Sequence, residues 1–283
     1  MMEAKVQRAI STDGTELAGR VIGQGPPLVL VHGAIGDGEF AWDELLPHLT
    51  DRFTCYLPST RGRGLSADHP DHSLPRLQED VIAFVESIGA PVNLMGWSGG
   101  GPFVLGAAAR SDAVDAVAVW ESGASADALG PDGQACLGQL AAAIEQVAFA
   151  ARDGRLIDAV HAFLAGICND AEVAALHGTD FHERWSAGVP ELLSFFQQLM
   201  ASEGPGPDHP EVLARVTVPV LLLTGEETLL GAAFDDASQH IARHVTDPHV
   251  REVPGVGHFA PVVAPEAVAH ELIAFFEGAL QPA

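Results

Sequence analysis

The sequence predicts an α/β fold, a mostly parallel sheet covered by helices on both faces and interrupted by an inserted block of helices. Three observations carry this. Up to Glu121, short apolar runs alternate with stretches of helical period, the rhythm of strands that must cross over to reach a parallel neighbour. From Ser122 to about Pro210 no strand-like run occurs, and helical segments are separated by Gly and Pro. Strand rhythm returns at Val218. A chain of 283 residues, 47% hydrophobic, can bury one large core. We therefore divide it into a first part of the core at 1–121, a helical block of the size of a lid at 122–210, and a second part of the core at 211–283. The block interrupts one sheet and does not start a separate domain.

Taken in order, two strands are predicted at Lys5–Ile10 and Thr15–Ile22, joined through Asp13-Gly14, a hairpin dipeptide. They predict an antiparallel edge. Pro26-Pro27 then breaks the chain before Leu28–Val31, an apolar run suited to a strand buried on both faces. The glycine-rich loop His32–Gly38 has neither the Lys-Ser/Thr pair of a phosphate loop nor the spacing of a dinucleotide fingerprint. Phe40–Leu49 reads as helical, Phe53–Leu57 as a strand ending at Pro58, and Arg61-Gly62-Arg63-Gly64-Leu65-Ser66 as the loop beyond it. Leu77, Val81, Phe84, Val85 and Ile88 form one face of a helix over Leu74–Ile88, closed by Gly89. A strand at Val92–Met95, a helix at Pro102–Arg110 and a strand at Asp115–Trp120 follow, with Glu121 at the last exit. Inside the block, helices are expected at Leu137–Ala151, Leu156–Ile167 and Pro190–Met200. The remainder reads as a strand at Val218–Thr224, a helix near Ala237–Val245, a strand near Val250–Val253 and a helix over Pro265–Ala279.

Composition narrows the function. The 38 acidic and 14 basic residues give a formal charge of −24, spread along the chain. Such a field disfavours nucleic acid and anionic membranes and slows the approach of charged anions. The expected partner is a small-molecule substrate, with a homodimer left open. No run approaches the ~20 apolar residues that span a bilayer, and Met1–Val6 leads into mixed polar sequence, so the chain reads as soluble and cytoplasmic. The three cysteines, Cys55, Cys136 and Cys168, are far apart and without metal-type spacing, as expected of reduced thiols.

The chemistry concentrates at Gly96-Trp97-Ser98-Gly99-Gly100, a sharp turn between a strand and a helix with a serine at its apex. Such a turn forces the serine backbone into a sparsely allowed region, and the positions two before and two after it must lack side chains. Gly96 and Gly100 meet that demand.

Together with His32-Gly33, Arg61-Gly62-Arg63-Gly64-Leu65-Ser66 and Gly255-Val256-Gly257-His258-Phe259, taken in this order, the turn resembles the α/β-hydrolase superfamily. The resemblance covers nearly the whole chain outside the helical block. It implies an eight-stranded, mostly parallel sheet with nucleophile, histidine and acid on loops at its carboxyl edge. Serine is protonated at neutral pH and needs a base to take its proton during attack. His258 stands where this fold delivers that base.

The acid departs from the family pattern. An aspartate is usual three residues beyond the glycine that ends the strand after the lid, yet Gly225-Glu226-Glu227-Thr228 places Thr228 there. Some members carry the acid at the exit of the strand before the lid, where Glu121 stands. A carboxylate ending an apolar strand is costly to bury without a partner, and accepting the second imidazole N–H would supply one. Glu226, Glu227, Asp235 and Asp236 are the alternatives. The resemblance also implies an oxyanion hole from the backbone N–H groups of Gly99 and Ala34.

Substrate recognition is expected from the helical block, with Phe149, Phe163, Phe181, Trp185, Phe195, Phe196, Leu199 and Met200 as its apolar wall. Trp185-Ser-Ala-Gly188-Val-Pro190 together with the early Glu121 is similar to fungal zearalenone-type lactone hydrolases, which implies that the Trp185 indole reaches substrate; core packing is its other role. His240 and His244 are four apart but have no acidic residue in the metalloprotease position between them, and the pairs His69/His72 and His177/His182 lack a chelating pattern, so no metal is expected.

These readings converge on a cofactor-free serine hydrolase of a neutral, fairly apolar ester or lactone. Hydrolysis of a carbon–carbon bond beside a ketone, or perhydrolysis, would use the same triad. A hydrolase-like receptor with little turnover is the alternative outside catalysis. Serine at the turn argues against dehalogenase and epoxide hydrolase chemistry, which need an aspartate there.

Overall fold

The computed structural model describes residues 5–201 and 206–279. The start of the chain, Met1–Ala4, on which the reading against a secretory leader partly rests, lies outside the described residues. Eight strands form one sheet in the order β1-β2-β4-β3-β5-β6-β7-β8. They are β1 (Lys5–Ile10), β2 (Glu16–Gly23), β3 (Pro27–Val31), β4 (Thr54–Pro58), β5 (Val92–Trp97), β6 (Val114–Trp120), β7 (Pro219–Gly225) and β8 (Asp247–Val253). The hairpin at Asp13-Gly14 forms as expected, with Gly14 at a φ of 90°. β2 pairs antiparallel with both β1 and β4, and every other pairing is parallel.

The helices are α1 (Leu46–Leu49), α2 (Leu74–Glu86), α3 (Gly101–Ala108), α4 (Pro131–Arg152), α5 (Leu156–Ile167), α6 (Asp170–Leu176), α7 (Phe181–Ser186), α8 (Val189–Ala201), α9 (Pro210–Leu213), α10 (Gly231–Ala242), α11 (Ala260–Val263) and α12 (Pro265–Ala279). α4 to α9 lie between β6 and β7 in sequence, as the strand-free stretch predicts. Strand side chains alternate between two cores: Leu28 and Leu30 join the one that includes α12 and the helical insertion, Val29 and Val31 the one built with α2 and α3. No described helix is long and apolar enough to cross a membrane.

Two differences from the sequence reading have local causes. Only Leu46–Leu49 of the expected helix at Phe40–Leu49 is helical. Upstream, the Asp37 carboxylate accepts the amides of Glu39 (2.7 Å) and Phe40 (3.3 Å), fixing a turn in place of a helical start. α6 and α7 have seven and six residues, too few to show a period. α6 is nevertheless announced by a capping box, Asn169 with Glu172.

Candidate active site

All six residues of β5 are buried, and the chain leaves the strand at Ser98 with a φ of 52°, rare for a residue with a side chain. The flanking glycines are sterically required. A Cβ at Gly96 would lie 2.7 Å from the Gly100 carbonyl oxygen, and one at Gly100 would lie 2.5 Å from that of Val31. Ser98 is half-buried.

Next to it, the backbones of Gly99 and Ala34, the pair expected for the oxyanion hole, come close together: a Cβ built on Gly99 would lie 3.2 Å from Ala34 N. Arg63, 7% exposed, braces the Ala34 loop by donating to the carbonyls of Ala34 (2.6 Å) and Gly36 (2.7 Å). Burial lowers its pKa to about 10. Arg61 anchors the same segment through Asp80 (2.6 and 2.7 Å) and Asp13 (2.8 Å). The glycine-arginine motif is thus a brace for the Ala34 loop.

His258 is 2% exposed, and its ring lies parallel to that of Phe234 at 5.0 Å and 8°. Its Nδ1 is 2.6 Å from Glu121 Oε2. A carboxylate in its ionised form can only accept, so Nδ1 carries the proton and Nε2 is left with a lone pair. Glu121, 1% exposed, has a φ of 50°. Its Oε1 accepts Gly225 N–H (2.7 Å) and the Thr228 hydroxyl (2.5 Å). Thr228, at the place of the usual late aspartate, therefore serves as a donor to the early glutamate. Of the alternatives, Glu226 and Glu227 are exposed, Glu226 accepting Gly255 N–H (2.9 Å), and Asp236 accepts Gly130 N–H (2.9 Å). None of the alternatives, Asp235 included, is hydrogen-bonded to His258.

Ser98 Oγ makes no hydrogen bond to the imidazole in this structure; catalytic contacts are often long without substrate and tighten on binding. Both side chains nonetheless belong to one rim. The indole N–H groups of Trp97 (3.1 Å) and Trp120 (3.0 Å), the residues just before Ser98 and Glu121, donate to the His258 carbonyl. Sequence reasoning missed these two donors, although each tryptophan ends an apolar strand directly before a singled-out residue. It also missed Arg63, the donor role of Thr228, and Glu172, which accepts Phe259 N–H at 2.6 Å.

Trp185 is 3% exposed, stacks on Phe181 (4.4 Å, 24°) and lies against Trp97 with centroids 5.9 Å apart. A cavity of about 280 Å³ adjoins it, lined also by Phe40, Asp43, Phe181, Arg184 and Val262. The expected apolar wall is corrected at three positions: Phe149 (55% exposed), Leu199 (40%) and Met200 (86%) face outward. Phe149 lies under Arg152 and Arg155, which shield its ring on the surface. Burial pushes the Cys55 thiol up to about 12 and raises that of Cys168 as well, and His240 and His244 bond backbone carbonyls. Among the described residues no group of three or more His, Cys, Asp or Glu is placed to hold a metal.

The sequence profile described as the alpha/beta hydrolase family matches residues 28–271. The chain belongs to this family. It is 37% identical over 89 residues to pyrrolizixenacetamide deacetylase of Xenorhabdus hominickii, covering 31% of this chain and 34% of that one. It is 38% identical over 100 residues to a pimeloyl-(acyl-carrier protein) methyl ester esterase of Xanthomonas oryzae pv. oryzae, covering 35% and 38%. The chain thus matches about a third of the length of these curated relatives. Among solved structures, an alpha/beta hydrolase of Sphaerobacter thermophilus superposes with a TM-score of 0.73 at 27% identity, covering 95% of this chain and 100% of that one.

Proposed function

We propose that this alpha/beta hydrolase is a cofactor-free serine hydrolase that cleaves a neutral, fairly apolar carboxylic ester or lactone through an acyl-enzyme. The observation that carries the reading is the Glu121–His258 pair at 2.6 Å on the rim where Ser98 leaves its strand in left-handed backbone. His258 Nε2 takes the Ser98 proton as Oγ attacks the carbonyl carbon, and the tetrahedral oxyanion accepts the N–H groups of Gly99 and Ala34. The intermediate collapses as the imidazolium returns its proton to the leaving alkoxide, which in a lactone stays tethered. Water, deprotonated by the same imidazole, then releases the acid. Glu121 holds the tautomer and stabilises the imidazolium.

Two relatives, one named as a methyl ester esterase and one as a deacetylase, support acyl transfer to water. The cavity beside Trp185 has an aromatic and aliphatic side, Phe40, Phe181, Trp185 and Val262, that supports an apolar substrate group, facing a charged side with Asp43, Glu44, Asp180 and Arg184, and the helical insertion then acts as the lid. The formal charge of −24 favours neutral over anionic esters. In a stopped-flow assay, p-nitrophenyl butyrate gives a burst of one equivalent that Ser98→Ala abolishes. A Ser98→Ala variant that keeps the burst overturns the reading.

A further inference from the structure

We propose that Glu172, on α6 of the helical insertion, is a positioning residue for His258, fastening the loop of the base to the insertion. The proposal rests on the reading of His258 as the base. Glu172 is 3% exposed, and its Oε1 accepts Phe259 N–H, the amide that follows the histidine, at 2.6 Å. Oε2 accepts Asn169 N–H (3.1 Å), while Glu172 N–H donates to Asn169 Oδ1 (2.9 Å). Asn169 Nδ2 in turn donates to the Glu227 carbonyl (2.9 Å). That carbonyl lies in the turn whose Gly225 N–H and Thr228 hydroxyl hold Glu121. One turn of α6 therefore ties together the loop of the base and the loop that supports the acid.

A capping box alone gives no reason for this burial, since its glutamate works equally well in water. Here the carboxylate is removed from solvent, and burial raises its pKa. Room for it depends on Gly257, where a Cβ would lie 2.7 Å from Glu172 Cδ. His258 is consequently fixed from two sides: its carbonyl by Trp97 and Trp120, the next amide by Glu172. The charged or titratable neighbours are His258 itself, Glu121 from the β6 exit and Cys168 from the end of α5. In its ionised form Glu172 adds a second carboxylate charge to that of Glu121 near His258, favouring the imidazolium.

The test is steady-state hydrolysis of p-nitrophenyl butyrate across pH by wild type, Glu172→Ala, Glu172→Gln, His258→Ala and the Glu172→Ala/His258→Ala double variant. Glu172→Ala is expected to lower kcat by about 10- to 100-fold with KM little changed, as loss of outer-shell support does elsewhere. Glu172→Gln keeps an acceptor for Phe259 N–H and recovers most of kcat. Its acidic limb of kcat/KM moves to lower pH by about half a unit, because one negative charge is gone. In the His258→Ala background, Glu172→Ala changes the residual rate by less than about two-fold, since it acts through the missing imidazole. Wild-type kcat in Glu172→Ala, or an equal loss with and without His258, overturns the proposal. If Glu172→Ala fails to fold, Glu172→Leu, close in size but unable to accept Phe259 N–H, takes its place, and a wild-type kcat in that variant overturns the proposal. Activity surviving in Ser98→Ala would instead remove the serine reading itself, whatever Glu172 does.

Discussion

The exits of β5 and β6 are alike in backbone and opposite in environment. The strands are neighbours, Trp97 pairs with Trp120 across them, and each tryptophan is followed by a residue with a side chain in left-handed backbone, Ser98 at 52° and Glu121 at 50°. Each such conformation costs about 1–2 kcal/mol. At the β5 exit glycines clear the space and the hydroxyl stays reachable. The β6 exit is closed: its carboxylate is 1% exposed and takes three hydrogen bonds, from His258, Gly225 and Thr228. The same backbone device thus leaves a hydroxyl open at one exit and locks a carboxylate at the other. Access distinguishes them.

The largest effects come from removing each side chain's chemistry. Ser98→Ala should lower kcat by about 10⁴- to 10⁶-fold, and Glu121→Gln by about 10³- to 10⁴-fold, because an amide cannot stabilise an imidazolium by charge. Glu226→Gln and Glu227→Gln should leave kcat near wild type, their side chains being exposed and unbonded to His258. Steady-state kinetics on p-nitrophenyl butyrate ranks the four. A large loss in Glu227→Gln with Glu121→Gln unaffected would dissolve the pairing of the two exits.

A third exit sharpens the contrast. His32 follows β3, is 1% exposed, accepts Thr60 N–H at Nε2 (3.1 Å) and bonds the Gly33 carbonyl through Nδ1 (2.8 Å). Both nitrogens are committed, and Nε2 also lies 3.3 Å from the Thr60 hydroxyl. Burial first, then the Arg63 charge, lowers its pKa to about 3. In the unfolded chain the imidazole binds a proton below pH 6.5, whereas in the folded chain it stays neutral until about 3. The unfolded state binds more protons in that window, so this histidine makes stability fall as pH drops from 6.5, by about 1.4 kcal/mol per unit. Urea titrations at pH 6.5 and 4.5 should find the loss smaller by about 2 kcal/mol in His32→Gln than in wild type. Equal losses would mean that His32 takes up a proton in the folded protein.

The exits also differ in how far they could be read in advance. Ser98 was legible because its strain is relieved by neighbours of a particular type, and Gly96 and Gly100 record that in the sequence. Glu121 has no such flank; only its position after an apolar strand marked it, and one of the groups that hold it, Thr228, lies 107 residues away. The alternation of apolar runs gave the sheet, since burial on both faces leaves strands nothing else to be. Contacts between the insertion and the core, such as Glu172 with Phe259 or Trp185 with Trp97, had no local mark beyond a capping box and an aromatic residue. Period and spacing encode which face is buried, but not which distant loop covers it. Hence the outward-facing Phe149, Leu199 and Met200 could not be told from their buried neighbours.

The smallest effect isolates the backbone from the chemistry. At an ordinary helical or strand position alanine is more stable than glycine, because glycine loses more freedom on folding. At 98 and 121 the order should invert, since alanine keeps the left-handed penalty that glycine escapes. Glycine is expected to exceed alanine by about 1 kcal/mol at both positions in urea denaturation. The absolute levels should still separate the exits. Either change at 98 leaves stability near wild type, whereas both at 121 strand the Gly225 N–H, the Thr228 hydroxyl and His258 Nδ1–H, at a cost of about 1–3 kcal/mol for each buried group left unpaired. Alanine matching or exceeding glycine at either position would show that its exit is relaxed, and the shared device would reduce to a coincidence of angles.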